Sequence, residues 1–423
     1  MIILPILAVA LVLVGAPVAF VLGLVGTIAF VVDGTSLVVV AQQSFQGLYN
    51  FILLAIPFFV LTGSIMELGG VSTRITNFAS VLVGWMRGGL GMVDIVASMI
   101  FADISGSATA DTAAIGAVMI PGLIKRGYKP EIATALQSAA GSLGLLFPPA
   151  VGMIVYCYVA NTSVAKMFTA AFVPGFMVAV SFMVINYILA LWHGYPAERF
   201  PTFGQVASST WQAAPALLAP AIILGGILAG IFTPTEAGAV AAIYVLLLTT
   251  FAYKTMTWSK MWLAVRRTVS TTARVMFLLS MALLLGLYFI RVELPQAIAR
   301  DVLPVSANPL ILLLIINVVL LVMHTCLETM AAIIVLVPVL LPLLAEAGID
   351  PVHFGIVLLI NSAIGINLPP IGFCLYISCS ITGVPIEKAA IAILPFVGAL
   401  LVDLVLVSVF PDLALFLPRV LGM

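Results

Sequence analysis

Prolines and glycines that punctuate the first half of this chain recur, without a gap, 221 residues later. Pro121 falls on Pro342, Gly127 on Gly348, Pro130 on Pro351 and Gly144 on Gly365. The pair Pro148-Pro149 falls on Pro369-Pro370, and Pro174 on Pro395. Shared leucines would mean little here, but residues that break helices carry the layout of a fold. Their common register marks a duplicated architecture.

The solvent of that architecture follows from its charge. Only 8% of the 423 residues are charged and 63% are apolar, whereas soluble domains carry roughly 25% charged residues. Such a chain is written for lipid, where backbone groups must be satisfied internally. The expected class is therefore an all-α polytopic membrane protein. Its 34 glycines and 25 prolines suit helices that are interrupted within the membrane. Zero net charge offers no basic face to nucleic acid. No basic residue precedes the first apolar run, Met1-Ile2-Ile3-Leu4-Pro5, so a cleaved signal peptide is not expected. Cys157, Cys326, Cys374 and Cys379 lack metal-binding spacing and read as small buried hydrophobes. Neither GxxxxGK[ST] nor HExxH occurs, and three histidines do not readily build a catalytic zinc site. The chain is expected not to be an enzyme.

Apolar segments fall at 2–14, 17–32, 51–68, 131–160 and 169–192, then at 214–232, 236–251, 271–290, 351–382 and 389–411. A single pass takes roughly 20 residues, so 2–14 stands either alone or joined to 17–32 across Gly15-Ala16-Pro17. Two more stretches, 89–123 and 308–345, carry polar clusters at their centres: Asp103 to Asp111, and His324 to Thr329. A continuous helix would strand those groups at mid-bilayer, whereas a re-entrant hairpin buries them at a tip inside protein. The hairpin is the favoured reading for both. Segments 71–88 and 196–212 read as amphipathic arms at the interface. The domains are thus a first repeat over 1–193, a connecting arm over 194–213 and a second repeat over 214–423.

Charge gives the orientation. Lys125, Arg126 and Lys129 follow the first hairpin, whereas the equivalent loop holds Glu346 and Asp350 and no base. Residues 33–50 contain no Lys or Arg, while their counterpart holds Lys254, Lys260, Arg266 and Arg267. Basic loops stay cytoplasmic, so the repeats are inverted. An odd number of crossings per half requires the same. Both termini are then periplasmic, and inverted repeats of this kind place a transport site at the midplane between them.

Each half offers a hairpin tip and a helix broken at its double proline: Gly141 to Pro149, and Ser362 to Pro370. A double proline removes two amide donors and frees carbonyls to hold a desolvated cation, while helix N-termini beyond the break suit a carboxylate. Alternatives stay open at each position. The prolines can serve only as packing kinks, and the small residues only as close-approach sites. Asp103, Asp111 and Glu328 read either as cation or proton sites or as solvated rim groups. Glu236 reads as a helix-turn residue or a ligand, His324 as a hydrogen-bonded structural residue, and Arg274 as snorkelling to the interface.

These motifs together resemble the large membrane subunit of tripartite ATP-independent periplasmic (TRAP) transporters, the dicarboxylate transporter M type, within the ion-transporter superfamily. The resemblance covers essentially the whole chain. It rests on Gly15 to Phe20, Ile56 to Phe59, Ser105 to Asp111, Gly141 to Pro149, Thr233 to Gly238 and Asn367 to Gly372. It implies a sodium-coupled importer of small organic acids, such as C4-dicarboxylates, sialic acid or other sugar acids. It also implies a bacterial inner-membrane location and an elevator motion of a transport domain against a scaffold. The implied partners are a separate small four-helix membrane subunit and a periplasmic solute-binding protein. Carried over by motif position, the sodium and substrate region comprises Ser105, Gly106, Ser107 and Thr109 with Ser142 and Gly144. In the second half it comprises Thr325, Glu328 and Thr329 with Asn361, Gly365 and Asn367. The structural breaks are Pro148, Pro149, Pro369 and Pro370. The alternative is a stand-alone ion-coupled carboxylate symporter or antiporter of the same superfamily.

Overall fold

The computed structural model describes Leu7, Leu11 and residues 15–197, 200–293 and 308–423, except the side chain of Cys326. Among these residues every regular element is a helix, apart from one isolated bridge between Arg87 and Ala197. Leu7 and Leu11 are helical, Gly15 has φ +91°, and the Ala16 N–H donates to Leu11 O at 3.0 Å. The next helix, Val18–Val32, opens after Pro17, so the chain turns between the two expected segments. The rest of 2–14 lies outside the described residues.

Six helices are long and apolar enough to cross a membrane: Phe51–Leu68, Val164–His193, Phe203–Leu228, Pro234–Ala252, Trp258–Arg291 and Thr329–Glu346. Two bent pairs add to them, Phe373–Thr382 with Ile386–Ala392 and Leu394–Val409 with Asp412–Val420. The protein is a multi-pass membrane protein. Within the first expected arm, Val71–Val83 is a helix. The second arm differs. From Phe203 onward it is the opening of the Phe203–Leu228 helix, because Thr202 and Gln205 form a reciprocal capping box that starts the helix well before its apolar run. Leu37–Gln46, capped by Ser36, is a further helix that the sequence did not announce.

Both polar-centred stretches are helical hairpins. The first pairs Gly89–Ser105 with Ala108–Lys125, and the second pairs Pro309–Cys326 with Thr329–Glu346. Both broken helices follow: Pro130–Ser142 and Val151–Ala160 around a short 3₁₀ turn at Leu143–Leu145, then Pro351–Gly365 and Phe373–Thr382. Pro130 and Pro351 each occupy the first helical turn, where a missing N–H costs nothing. The Pro148–Pro149 and Pro369–Pro370 bonds are both cis.

Contacts between the halves fix their relative direction. Near one end Thr134 Oγ1 donates to Thr382 Oγ1 at 3.0 Å. In the middle Ser138 Oγ donates to Asn367 Oδ1 at 2.6 Å. At the other end the Tyr156 hydroxyl donates to the Pro351 carbonyl, and Lys166 pairs with Asp350 at 3.5 Å. The start of one broken helix therefore meets the end of the other, and the two run antiparallel. That is the arrangement an inverted repeat produces. The interrupted helices lie at the centre of the main hydrophobic core, with Val151 to Cys157 and Phe354 to Ile360 buried.

Candidate solute cavity

One cavity of about 880 Å³ lies where the two hairpin tips approach each other. Ser105, Gly106, Ser107 and Thr109 line it from the first tip, and Glu328 and Thr329 from the second. Leu145 of the first break and Ile366 and Phe373 of the second complete the wall. Opposite them stands the long helix Trp258–Arg291, which presents Arg266, Arg267 and Arg274.

The first tip is held by its backbone. Gly106 adopts the left-handed conformation (φ +59°) that ends one hairpin helix, and its carbonyl accepts the Val151 N–H at 3.2 Å. A side chain there would collide with the Pro149 carbonyl and come within 3.1 Å of Ala150 Cα. The tip is therefore pressed directly against the broken helix. Ser107 N–H donates to Ser105 Oγ at 3.2 Å, and the Ser107 and Thr109 hydroxyls are 3.2 Å apart. The Ser105 hydroxyl also reaches Asp111 Oδ1. Asp111 is completely buried, and its other oxygen, Oδ2, has no hydrogen-bond partner. Gly144 leaves room for it, since a side chain at that position would overlap Asp111 Oδ2 and lie 2.8 Å from the Ala108 nitrogen.

The second tip uses a side-chain network instead. His324 Nδ1 is 3.1 Å from Asn361 Oδ1, and Nε2 is 2.8 Å from Ser362 Oγ. Asn361 Nδ2 donates to the Asn317 carbonyl at 2.9 Å, and Asn317 Nδ2 donates to Ser408 Oγ at 2.9 Å. The Asn361 oxygen must then accept, so His324 donates from Nδ1. Gly365 permits this approach, because a side chain there would run into His324 Cβ and its carbonyl carbon at 2.9 Å. His324 is thus a structural, hydrogen-bonded residue. Replacing Asn361 by leucine would remove the side-chain contacts to His324 Nδ1 and the Asn317 carbonyl. It is expected to lower stability by about 2 kcal/mol, read as a drop in Tm of the detergent-solubilised protein.

The candidate residues therefore fall into two shells. Ser105, Gly106, Ser107, Thr109, Glu328 and Thr329 face the cavity. Ser142, Gly144, Asn361, Gly365 and Asn367 are not among its lining residues and sit behind the wall. There Ser142 Oγ donates to Ala139 O at 2.6 Å, and Asn367 holds Ser138. Thr325 Oγ1 donates to Val322 O at 2.7 Å within its own helix. Pro148, Pro149, Pro369 and Pro370 shape the breaks without lining the cavity. Glu236 belongs to a capping box with Thr233, accepting its N–H at 2.8 Å. Asp111 is buried and so is not a solvated rim group, and Arg274 lines the cavity.

The wall of arginines was the feature that sequence reading missed. Its signal was present in the spacing of Leu263, Arg266, Arg267, Ser270, Thr271 and Arg274, which recurs every three or four residues along one helix face. Among the described residues no group of three or more His, Cys, Asp or Glu side chains could hold a metal. The donors near the tips are instead two unpartnered carboxylate oxygens, Asp103 Oδ1 and Asp111 Oδ2, with hydroxyls and backbone carbonyls at helix breaks. Such an all-oxygen set suits a hard alkali cation.

Two hairpins and two interrupted antiparallel helices meeting at a shared cavity are the arrangement of a membrane transporter. The chain belongs to the tripartite ATP-independent periplasmic transporter family, DctM component, whose model matches residues 6–413. It is 40% identical over 407 residues to the sialic acid TRAP transporter large permease protein SiaM of Vibrio cholerae, covering 96% of this chain and 95% of that protein. It is 38% identical to the C4-dicarboxylate TRAP transporter large permease protein DctM of Pseudomonas aeruginosa, covering 90% of each. The fold also resembles the solved YdaH transporter of Alcanivorax borkumensis, with a TM-score of 0.66 over 88% of this chain and 87% of that one at 14% identity.

Proposed function

We propose that this chain is the large permease subunit of a sodium-coupled, binding-protein-dependent importer of small organic acids in a bacterial inner membrane. The observation that carries the reading is the convergence of both hairpin tips and both helix breaks on one cavity of about 880 Å³. In this scheme sodium is a transported, coupling ion. It is held behind the first tip by Asp111 Oδ2 and the oxygens of Ser105 and the adjoining break. Binding there orders the hairpin against the broken helix before the acid's carboxylate enters beside it. The hairpins and broken helices then move as one body against Phe51–Leu68 and Trp258–Arg291, an elevator motion. The basic loops set the sidedness, with both termini periplasmic and the cavity open towards the cytoplasm, where Arg266 and Arg267 lie. Relatives named for sialic acid and C4-dicarboxylate transport support the class of acid. The tripartite family supports two partners, a small four-helix membrane subunit and a soluble periplasmic binding protein.

The test is uptake of radiolabelled succinate or N-acetylneuraminate into proteoliposomes holding both membrane subunits, with the loaded binding protein outside. An inward sodium gradient is expected to raise uptake at least tenfold over an equal potassium gradient. Equal uptake in the two salts would defeat the coupling. Full uptake without the binding protein would replace this reading with a stand-alone symporter.

A further inference from the structure

The arginine face of the Trp258–Arg291 helix has no place in the sodium scheme, and its geometry calls for a function of its own. Arg266, Arg267 and Arg274 line the cavity together with Ser270 and Thr271, so a single stripe runs along the wall opposite both tips. At 1.5 Å per residue the step from Arg266 to Arg274 spans roughly 12 Å. The three arginines are not equivalent. Arg267 pairs with Glu67 at 2.8 Å. Arg266 and Arg274 have no carboxylate within ion-pair distance among the described residues. Arg274 spends its Nε on the Ser270 carbonyl at 3.2 Å, which aims the guanidinium along the stripe. Glu328 on the second tip shares the cavity and interacts electrostatically with Arg274. Three arginines face two carboxylates, Glu67 and Glu328, so the lining keeps one positive charge in excess. A guanidinium at membrane depth is costly unless it lines a water-filled cavity and answers an anion.

We infer that Arg266 and Arg274 form an anion station on the long helix that receives the carboxylate of the transported acid as it leaves the tips into the cavity, a role that rests on the transport reading above. Guanidinium groups bind carboxylates through paired, charge-assisted hydrogen bonds, and two of them along one stripe suit a solute bearing one or two carboxylates. Arg267, neutralised by Glu67, has no such role.

The experiment places one thiol on the stripe. All four native cysteines are replaced by alanine, and Ser270→Cys is introduced at the middle of the arginine face. Labelling rates with an anionic and a cationic methanethiosulfonate, each normalised to a free thiol, read the local field. The anionic reagent is expected to react about fivefold faster, and Arg266→Gln or Arg274→Gln to bring the ratio towards one. The acid that wild-type proteoliposomes take up, succinate or N-acetylneuraminate, is then titrated as protectant. Its half-protecting concentration is expected to rise about tenfold in either glutamine variant, the loss of one charge-assisted contact. Arg274→Lys should recover part of it, and Arg267→Gln should leave it near the starting value. Unchanged protection in both Arg266→Gln and Arg274→Gln, with wild-type uptake intact, overturns the inference and leaves the transport reading standing. Absence of wild-type uptake of either acid overturns the transport reading itself.

Discussion

Gly106→Ala is expected to abolish uptake while leaving the protein in the membrane at near-normal amounts. Two costs add at this residue. The left-handed conformation (φ +59°) penalises any Cβ, by about 1–2 kcal/mol. The new methyl would also meet the Pro149 carbonyl and Ala150 Cα, neither of which can rotate away, and overpacking of that kind costs about 1–3 kcal/mol. The easiest relief is for the tip to lift off the broken helix, which breaks the 3.2 Å bond from Val151 N–H to Gly106 O. That motion dismantles one wall of the cavity. Gly127→Ala is the matched control, with φ +91° and no atom within 4 Å of where the new methyl would sit. It carries the backbone penalty alone and should retain most of the uptake. If the two variants transport equally well in proteoliposomes, contact between tip and break is not required.

The second large effect is expected at Asp111. Its Oδ2 is fully buried and unpartnered, while Oδ1 accepts from Ser105. Asparagine keeps the shape and the Ser105 contact but removes the charge. A buried carboxylate without a partner is expensive, so the folded protein should lose no stability and can gain some. A bound cation, by contrast, would lose the formal counter-charge that Asp111 supplies behind the first tip. The half-saturating sodium concentration for uptake is expected to rise at least tenfold, corresponding to about 1.4 kcal/mol or more of ion binding. The decisive result is the pairing of the two readouts. A lower Tm with unchanged sodium dependence would make Asp111 a structural residue.

Much of this was legible because it depends on covalent backbone chemistry. Pro148-Pro149 and Pro369-Pro370 interrupt a helix in any surroundings, since neither residue can donate. The hairpins were legible because Asp103 to Asp111 and His324 to Thr329 cannot face lipid. Other features failed to show. The helix at Leu37–Gln46 hid because Gln42, Gln43 and Ser44 interrupt its apolar run. The Phe203 start hid because a capping box is a short, local signal set against a long hydropathy window. Asn361 and Asn367 hydrogen-bond to His324 and Ser138 and are not among the residues that line the cavity. Side-chain direction within a buried helix depends on which neighbour it meets.

By itself the sequence determined the lipid-facing class, the duplicated order of hairpin and broken helix, and where each helix must stop. These follow from transfer energies and backbone donors that belong to each residue alone. Only the tertiary structure decided which polar groups share a space. Ser105 meets Asp111 because a left-handed glycine folds the tip back. Arg266 and Arg274, more than 50 residues before Glu328 in the chain, share a cavity with it because the long helix packs against Thr329–Glu346, the second arm of that hairpin. Distances across a cavity are set by packing between segments far apart in sequence, and no local pattern encodes them.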